Sequence, residues 1–297
     1  MDRSLYSLPA FKLGLRAARI LPRTCAQWIA PLIARAAYAR LKAARSALHS
    51  NLHLVTGATG AELDAMCHRN VANFSRMLAD YFFCLACEGR RASDLLERWS
   101  GLDHLEAARD RRKGVLLVTA HVGNWELGAM LLARHGFALT VITLEEPTSE
   151  LTRWRDSYRR QLGIKTIPVG PGRDFQFIEM MQVLRRNEVL AMLIDRPYTG
   201  TGTSVDFFGQ RAEFSHAPAM LWQHTDAAVV PAFVLRSASG RYISFADPIL
   251  SLERTPDPRE SICANTQRLA RHFESIIHQH PEQWFNYVPT WSETVPL

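Results

Sequence analysis

Residues 115–128 read VLLVTAHVGNWELG. The run from Val115 to Ala120 is apolar and β-branched over strand length, the pattern of a strand buried on both faces. His121 follows at its C-terminal end, Gly123 marks a turn, and Asn124 can cap a new helix that carries Glu126. In open α/β sheets, sites form at this strand edge. An imidazole there suits a general base on a hydroxyl, because its ordinary pKa of about 6.5 lies close to working pH. Glu126 is placed to accept from one ring nitrogen and to stabilise the imidazolium as the other nitrogen takes a proton. The chain holds 11 His, and His121 to Glu126 is its only H-x4-E spacing. Roughly one such match is expected by chance, so spacing alone leaves equally open a His that satisfies a loop hydrogen bond.

Outward from this stretch, strands are expected at Leu139 to Leu144, Thr166 to Val169, Val189 to Ile194, Val205 to Phe208, Val229 to Leu235 and Tyr242 to Ala246. Helical patterns alternate with them at 124–135, at 150–162, at 174–187 opened by Asp174, and at 215–225 opened by Ser215. Alternation of this kind predicts an α/β fold, a mixed, mostly parallel sheet flanked by helices. A long amphipathic helix is expected over 61–88, a charged stretch with short helical patterns over Glu88 to Lys113, and a last helix over 258–280 that Pro281 ends. The Gly- and Thr-rich segment 196–204, RPYTGTGTS, reads as a loop that is mobile or lines a site.

The net charge of +6 is uneven: residues 1–50 hold nine Lys or Arg against Asp2 alone, +8, leaving −2 for the rest. A basic arm on a near-neutral body points to an anionic surface. No uncharged run between Leu8 and Leu41 reaches the roughly 18 to 20 residues of a bilayer span. Lys12, Arg16, Arg19 and Arg23 instead form one stripe on a helix, with Leu13, Ala17, Ile20 and Leu21 nearer its other side. Trp28 and Tyr38 suit the headgroup boundary, with Ile29, Leu32 and Ile33 dipping inward. The same pattern also fits a helix packed on the protein's own core. Residues 1–50 are thus read as a membrane-docking segment and 51–297 as the α/β domain. A signal peptide is rejected for want of a small-residue cleavage site. Five scattered cysteines argue for a reducing, cytoplasmic setting, and Cys84 with Cys87 reads as core packing. The chain lacks G-x-S-x-G, GxxxxGK[ST] and a helix-opening GxGxxG, which sets aside serine-hydrolase, P-loop and dinucleotide chemistry. No further His or Asp at fixed spacing completes a metal site, and no nucleic-acid recognition module is visible.

The segment HVGNWELGA resembles the H-x4-D/E block of glycerolipid-type acyltransferases, in the HxGNWE form of the bacterial lipid A late acyltransferases. The resemblance covers most of the chain. Asn51 and Leu52 are similar to that family's early Asn-Leu, Arg159 and Arg160 before Leu162 and Gly163 to its R-x-x-G region, and Val205 to Gly209 to its FFG block. Ala228 to Val234 and Pro281 to Trp284 complete the series in order. The resemblance implies a glycerolipid acyltransferase-like domain in which His121 deprotonates a lipid hydroxyl that attacks an acyl thioester. The donor would be acyl carrier protein or CoA, with no cofactor and no metal. It further implies catalytic roles for His121 and Glu126, oxyanion or substrate contacts from Arg159 or Arg160, and supporting roles for Asn124, Asp195 and Arg196. Acyl carrier protein, a lipid A precursor or related membrane lipid, and the anionic cytoplasmic face of a bacterial inner membrane are the implied partners. Two departures stand out: Asp195-Arg196 replaces the usual Asp-Gln, and the terminal block WFNYVPTW lacks the usual His and Arg. The fewer cations of the terminal block put a bis-phosphorylated lipid A acceptor in doubt: either Arg196 replaces one phosphate contact, or the acceptor is another glycolipid, a phospholipid or an amino-acid lipid. The rival reading is a non-catalytic peripheral membrane protein with a degenerate site.

Overall fold

The structure, a computed structural model, describes residues 7–170, 176–198 and 202–291. Four helices lead: α1 (Leu8–Ile20), α2 (Arg23–Tyr38), α3 (Lys42–Thr56) and α4 (Gly60–Ala86). Then come β1 (Leu96–Ser100), α5 (Leu102–Asp110), β2 (Val115–Thr119), α6 (Trp125–Arg134), β3 (Leu139–Leu144), α7 (Ser149–Gln161), β4 (Ile164–Val169), α8 (Gln176–Arg185) and β5 (Val189–Leu193). The hairpin β6 (Thr203–Phe207) and β7 (Gln210–Phe214) precedes α9 (Ala217–Thr225), β8 (Ala228–Arg236), β9 (Tyr242–Ala246) and α10 (Pro258–Gln279).

β2 is buried at all five positions because it runs mid-sheet between two parallel neighbours and under helices on both faces. Alternate side chains serve opposite layers: Leu116 and Val118 pack with Val183 of α8, Leu221 of α9 and Phe273 of α10. Val115 and Leu117 pack with Leu105 of α5, Met130 of α6 and Leu85 of α4. Each such Val or Leu stabilises the fold by roughly 1.5–3 kcal/mol on burial. The seven strands lie in the order β1-β9-β8-β2-β5-β3-β4, with only the β8–β9 pair antiparallel. The expected mixed, mostly parallel α/β architecture is therefore the observed one.

Two strands were not anticipated. β1 lies inside the charged stretch expected to be helical; it is an edge strand, never fully buried, so no apolar run marks it. β7 reads QRAEF and hides only Ala212 and Phe214. α9 begins after His216 rather than being capped by the Ser215 side chain, while the proposed Asp174 cap falls outside the described residues. So do residues 199–201 of the Gly- and Thr-rich loop.

The basic stripe from Lys12 to Arg23 is divided between two helices, since Leu21 and Pro22 turn extended between them. This breaks the stripe expected of one helix. Arg23 lies inward: its guanidinium grips the fully buried Asp80 at 2.6 and 3.0 Å, and Tyr242 donates to the same carboxylate at 2.8 Å. Tyr38 is likewise buried beside Leu48 and Cys67, not at an exposed boundary. Cys84 is a free thiol in the core. Position 50 falls inside α3, whose Asn51 side chain bonds the backbone of Asn286, Val288 and Thr290 and pins the terminal tryptophan block. Leu13, Ile20, Trp28, Ile29, Leu32 and Ile33 remain exposed, Trp28 at 79%. Among the described residues, no helix is long and apolar enough to cross a membrane.

Candidate active site

Register builds the site. β2 and β5 are parallel neighbours that align Thr119 with Leu193, and Ile194 continues the ladder by donating to the Thr119 carbonyl at 3.0 Å. Two residues beyond that pair stand His121 on one strand end and Asp195 on the other. Their side chains meet: His121 Nδ1 lies 2.7 Å from Asp195 Oδ1. The His121 backbone N–H donates to Oδ2 at 3.1 Å, and the Trp284 indole donates to the same oxygen at 2.9 Å. Burial of Asp195 opposes its ionisation, but the His121 ring, the adjacent Arg196 charge and the indole donor outweigh burial and hold the carboxyl at about 2.

The other ring nitrogen is also engaged. Arg196 Nη2 lies 2.7 Å from His121 Nε2. A guanidinium only donates, so Nε2 must present its lone pair and Nδ1 must carry the proton that Asp195 accepts. This partner-assigned tautomer is the one a general base needs. The ring is 15% exposed and stands edge-on to Trp125, 5.4 Å between centroids.

The turn holding His121 admits little variation. Gly123 has φ +65°, and a Cβ there would lie 2.1 Å from the Val234 carbonyl oxygen. Gly123 N–H donates to Gln283, Asn124 N–H to Val234, and Phe285 N–H to the His121 carbonyl, stapling the loop between β8 and the segment after α10.

Glu126 does not orient the imidazole, as the spacing suggested. Its Oε1 accepts from Arg155 Nη2 at 2.6 Å and Arg159 Nη2 at 3.0 Å, one turn apart on α7. Burial pushes its pKa up, yet the two guanidiniums prevail and hold it below the ordinary carboxylate value. Arg155 also pairs with Glu146, and its guanidinium lies over the rings of Phe11 of α1 and Tyr81 of α4. Arg159 thus belongs to the Glu126 cluster. Arg160 is exposed and lines a hollow with Gly163, Ile164 and Lys165 where β4 begins, at the opposite edge of the sheet from His121. Asn124 is buried, and its Oδ1 caps α6 by accepting from Leu127 N–H at 3.0 Å, as the sequence suggested.

Sequence reasoning passed over Arg155 and the indole of Trp284. The four-residue step from Arg155 to Arg159 on a helix was the available signal for the first. For the second only the position of PEQW near the chain end was visible. Trp291 fills a structural place, donating to the Phe207 carbonyl at 3.1 Å and stacking on that ring. Among the described residues, no group of three His, Cys, Asp or Glu side chains stands together as a metal site would require.

Comparison with known proteins agrees with this architecture. Residues 8–293 match the family model described as bacterial lipid A biosynthesis acyltransferase. The chain is 32% identical to a phosphatidylinositol mannoside acyltransferase of Mycobacterium tuberculosis, over 82% of this chain and 76% of that protein. The protein of that name from Mycolicibacterium smegmatis is 28% identical over 95% of this chain and 90% of its own length. A more distant match, 25% identical over 69% of this chain but 31% of the other, is the Vi polysaccharide export protein VexE of Salmonella typhi. A match over nearly the whole chain, on an α/β sheet with an imidazole and carboxylate paired at its C-terminal edge, makes this chain a member of the bacterial lipid A biosynthesis acyltransferase family and an acyltransferase.

Proposed function

We propose that this acyltransferase moves a fatty acyl group from an acyl carrier protein or CoA thioester to a sugar hydroxyl of a phosphate-bearing glycolipid at a membrane surface. The observation that carries the reading is the His121 ring, held at Nδ1 by Asp195 so that Nε2 presents its lone pair on the far side, toward Arg196. As the acceptor oxygen attacks the thioester carbonyl, its proton passes to Nε2. The tetrahedral intermediate expels the thiolate by breaking the C–S bond, and the imidazolium returns the proton to sulfur, leaving an ester and a free thiol. Asp195 stays ionised throughout and stabilises the imidazolium. The relatives named for phosphatidylinositol mannoside support a mannosylated phospholipid rather than bis-phosphorylated lipid A as acceptor. The cation-poor WFNYVPTW block, whose Trp284 and Trp291 are buried, supports the same choice.

The exposed face of α1 and α2 supplies the membrane contact, with Ile20, Trp28, Leu32 and Ile33 apolar and Lys12, Arg16, Arg19 and Arg35 able to meet anionic headgroups. Cytoplasmic docking on a bacterial inner membrane is the matching location, because acyl carrier protein and CoA thioesters are made in the cytoplasm. Replacing Trp28 and Leu32 together by Ser should weaken binding to anionic vesicles on the order of tenfold or more. Unchanged sedimentation with vesicles would refute this face.

The direct test presents labelled acyl carrier protein thioesters and vesicles carrying candidate acceptors to wild type and to His121→Ala. Wild type should label a phosphate-bearing glycolipid, and the variant should lose roughly 10² to 10⁴ in rate. A His121→Ala protein as fast as wild type would overturn the base assignment, and exclusive labelling of phosphate-free lipids would overturn the acceptor.

A further inference from the structure

The lone pair that must take the acceptor's proton is covered by Arg196, 2.7 Å from Nε2. A guanidinium stays protonated and cannot accept, so once Nε2 carries a proton the two groups confront each other donor to donor. Contact and proton transfer are therefore mutually exclusive. The arrangement seen here is a resting one, and Arg196 must withdraw before the first step. The residue follows Asp195 directly, is partly exposed, and forms no ion pair with a carboxylate among the described residues. Its only hydrogen-bond partner there is a neutral nitrogen, which an anion with two oxygens in guanidinium spacing outcompetes through paired, charge-assisted bonds.

We infer that Arg196 is a cap on the base and is drawn off His121 by a phosphate ester of the incoming substrate. The inference rests on His121 being the base. Its consequence is selectivity of two kinds: a lipid without phosphate, or water, meets a covered base, whereas a phosphate-bearing acceptor uncovers the base as it docks. The thioester is thus spared from hydrolysis until the acceptor is in place. Arg196 is a positioning residue in this scheme, acting through the lone pair of His121.

Two phosphates are available to do this, one in the acceptor headgroup and one in the phosphopantetheine arm of the donor. A phosphate-free donor, an acyl N-acetylcysteamine thioester, separates them when paired with vesicles of a mannosylated phosphatidylinositol or of a mannosyl diacylglycerol. With this donor, wild type should prefer the phosphorylated acceptor by about tenfold or more, the worth of one charge-assisted hydrogen-bond pair. Arg196→Gln should bring the preference close to unity and raise acceptor-free thioester hydrolysis on the order of tenfold, while Arg196→Lys should keep part of both. If wild type instead uses both acceptors equally with this donor, and the full carrier thioester speeds transfer to both alike, the donor phosphate lifts the cap and the acceptor selectivity is overturned. An Arg196→Gln protein that transfers acyl groups with wild-type preference and wild-type hydrolysis overturns the cap and leaves the base assignment standing. A wild type matched by His121→Ala brings down the base assignment, and the cap with it.

Site-resolved diethylpyrocarbonate labelling of wild type provides a second reading that needs no variant. Phosphorylated acceptor vesicles should speed modification of His121 severalfold and phosphate-free ones should not; equal rates overturn the proposal.

Discussion

Asp195 and Glu126 are both carboxylates withdrawn from solvent near the C-terminal edge of the sheet, yet one accepts from an imidazole and the other from two guanidiniums. The difference lies in how topology delivers their partners. Asp195 lies two residues past the end of β5, which is hydrogen-bonded in register to β2, and His121 lies two residues past the end of β2, so two side chains 74 residues apart in sequence meet at a fixed offset. Glu126 is five residues from His121, but the turn at Gly123 and the start of α6 aim it at α7, where Arg155 and Arg159 share a face. Register across a sheet is a stronger positional constraint than a short spacing along the chain.

The variants that probe this contrast differ in kind. Asp195→Asn should cost the most activity. The amide cannot stabilise an imidazolium, and the ring loses the anion that selects its tautomer, so transfer should fall on the order of 10² to 10⁴ with substrate binding little changed. The same variant has a signature in acid. The folded-state pKa of Asp195 is about 2, against an ordinary value near 4 for the unfolded chain. Its stabilisation is therefore complete above about pH 4 and is lost as pH falls toward 2, because the unfolded chain binds the proton first. Thermal unfolding of Asp195→Asn should accordingly decline less steeply than that of wild type across this window.

Glu126→Gln should act mainly on stability. It leaves two nearly buried guanidiniums short of an anion, which should cost about 3 kcal/mol in denaturant unfolding, with a smaller loss of turnover than Asp195→Asn. Adding Arg159→Gln should restore part of that stability, since fewer cations then compete for Glu146. A Glu126→Gln enzyme of native stability that is as inactive as Asp195→Asn would erase the distinction between the two carboxylates.

How far this was legible from the chain divides along physical lines. β2, β3, β5 and β8 announced themselves because deeply buried strands are rich in Val, Leu and Ile, and β9 because Tyr242, Ile243 and Phe245 favour strand. β1 and β7 did not, because strands with one wet face carry the charges of a surface helix. His121 was visible from its place after a buried strand and before a helix cap. Its true partner was visible only as a lone strand-end Asp, since register between β2 and β5 is not written in either segment alone. The basic stripe misled at Arg23, where a buried Asp80 on α4 captures a residue that the helical wheel assigns to the surface.

The most direct test of the account is the 15N spectrum of His121 in selectively labelled, substrate-free protein, assigned by comparison with His121→Ala. The account predicts a proton on Nδ1 and a bare Nε2, unchanged in Glu126→Gln and altered in Asp195→Asn. A proton on Nε2 in wild type, or a tautomer that responds to Glu126 and ignores Asp195, would contradict it.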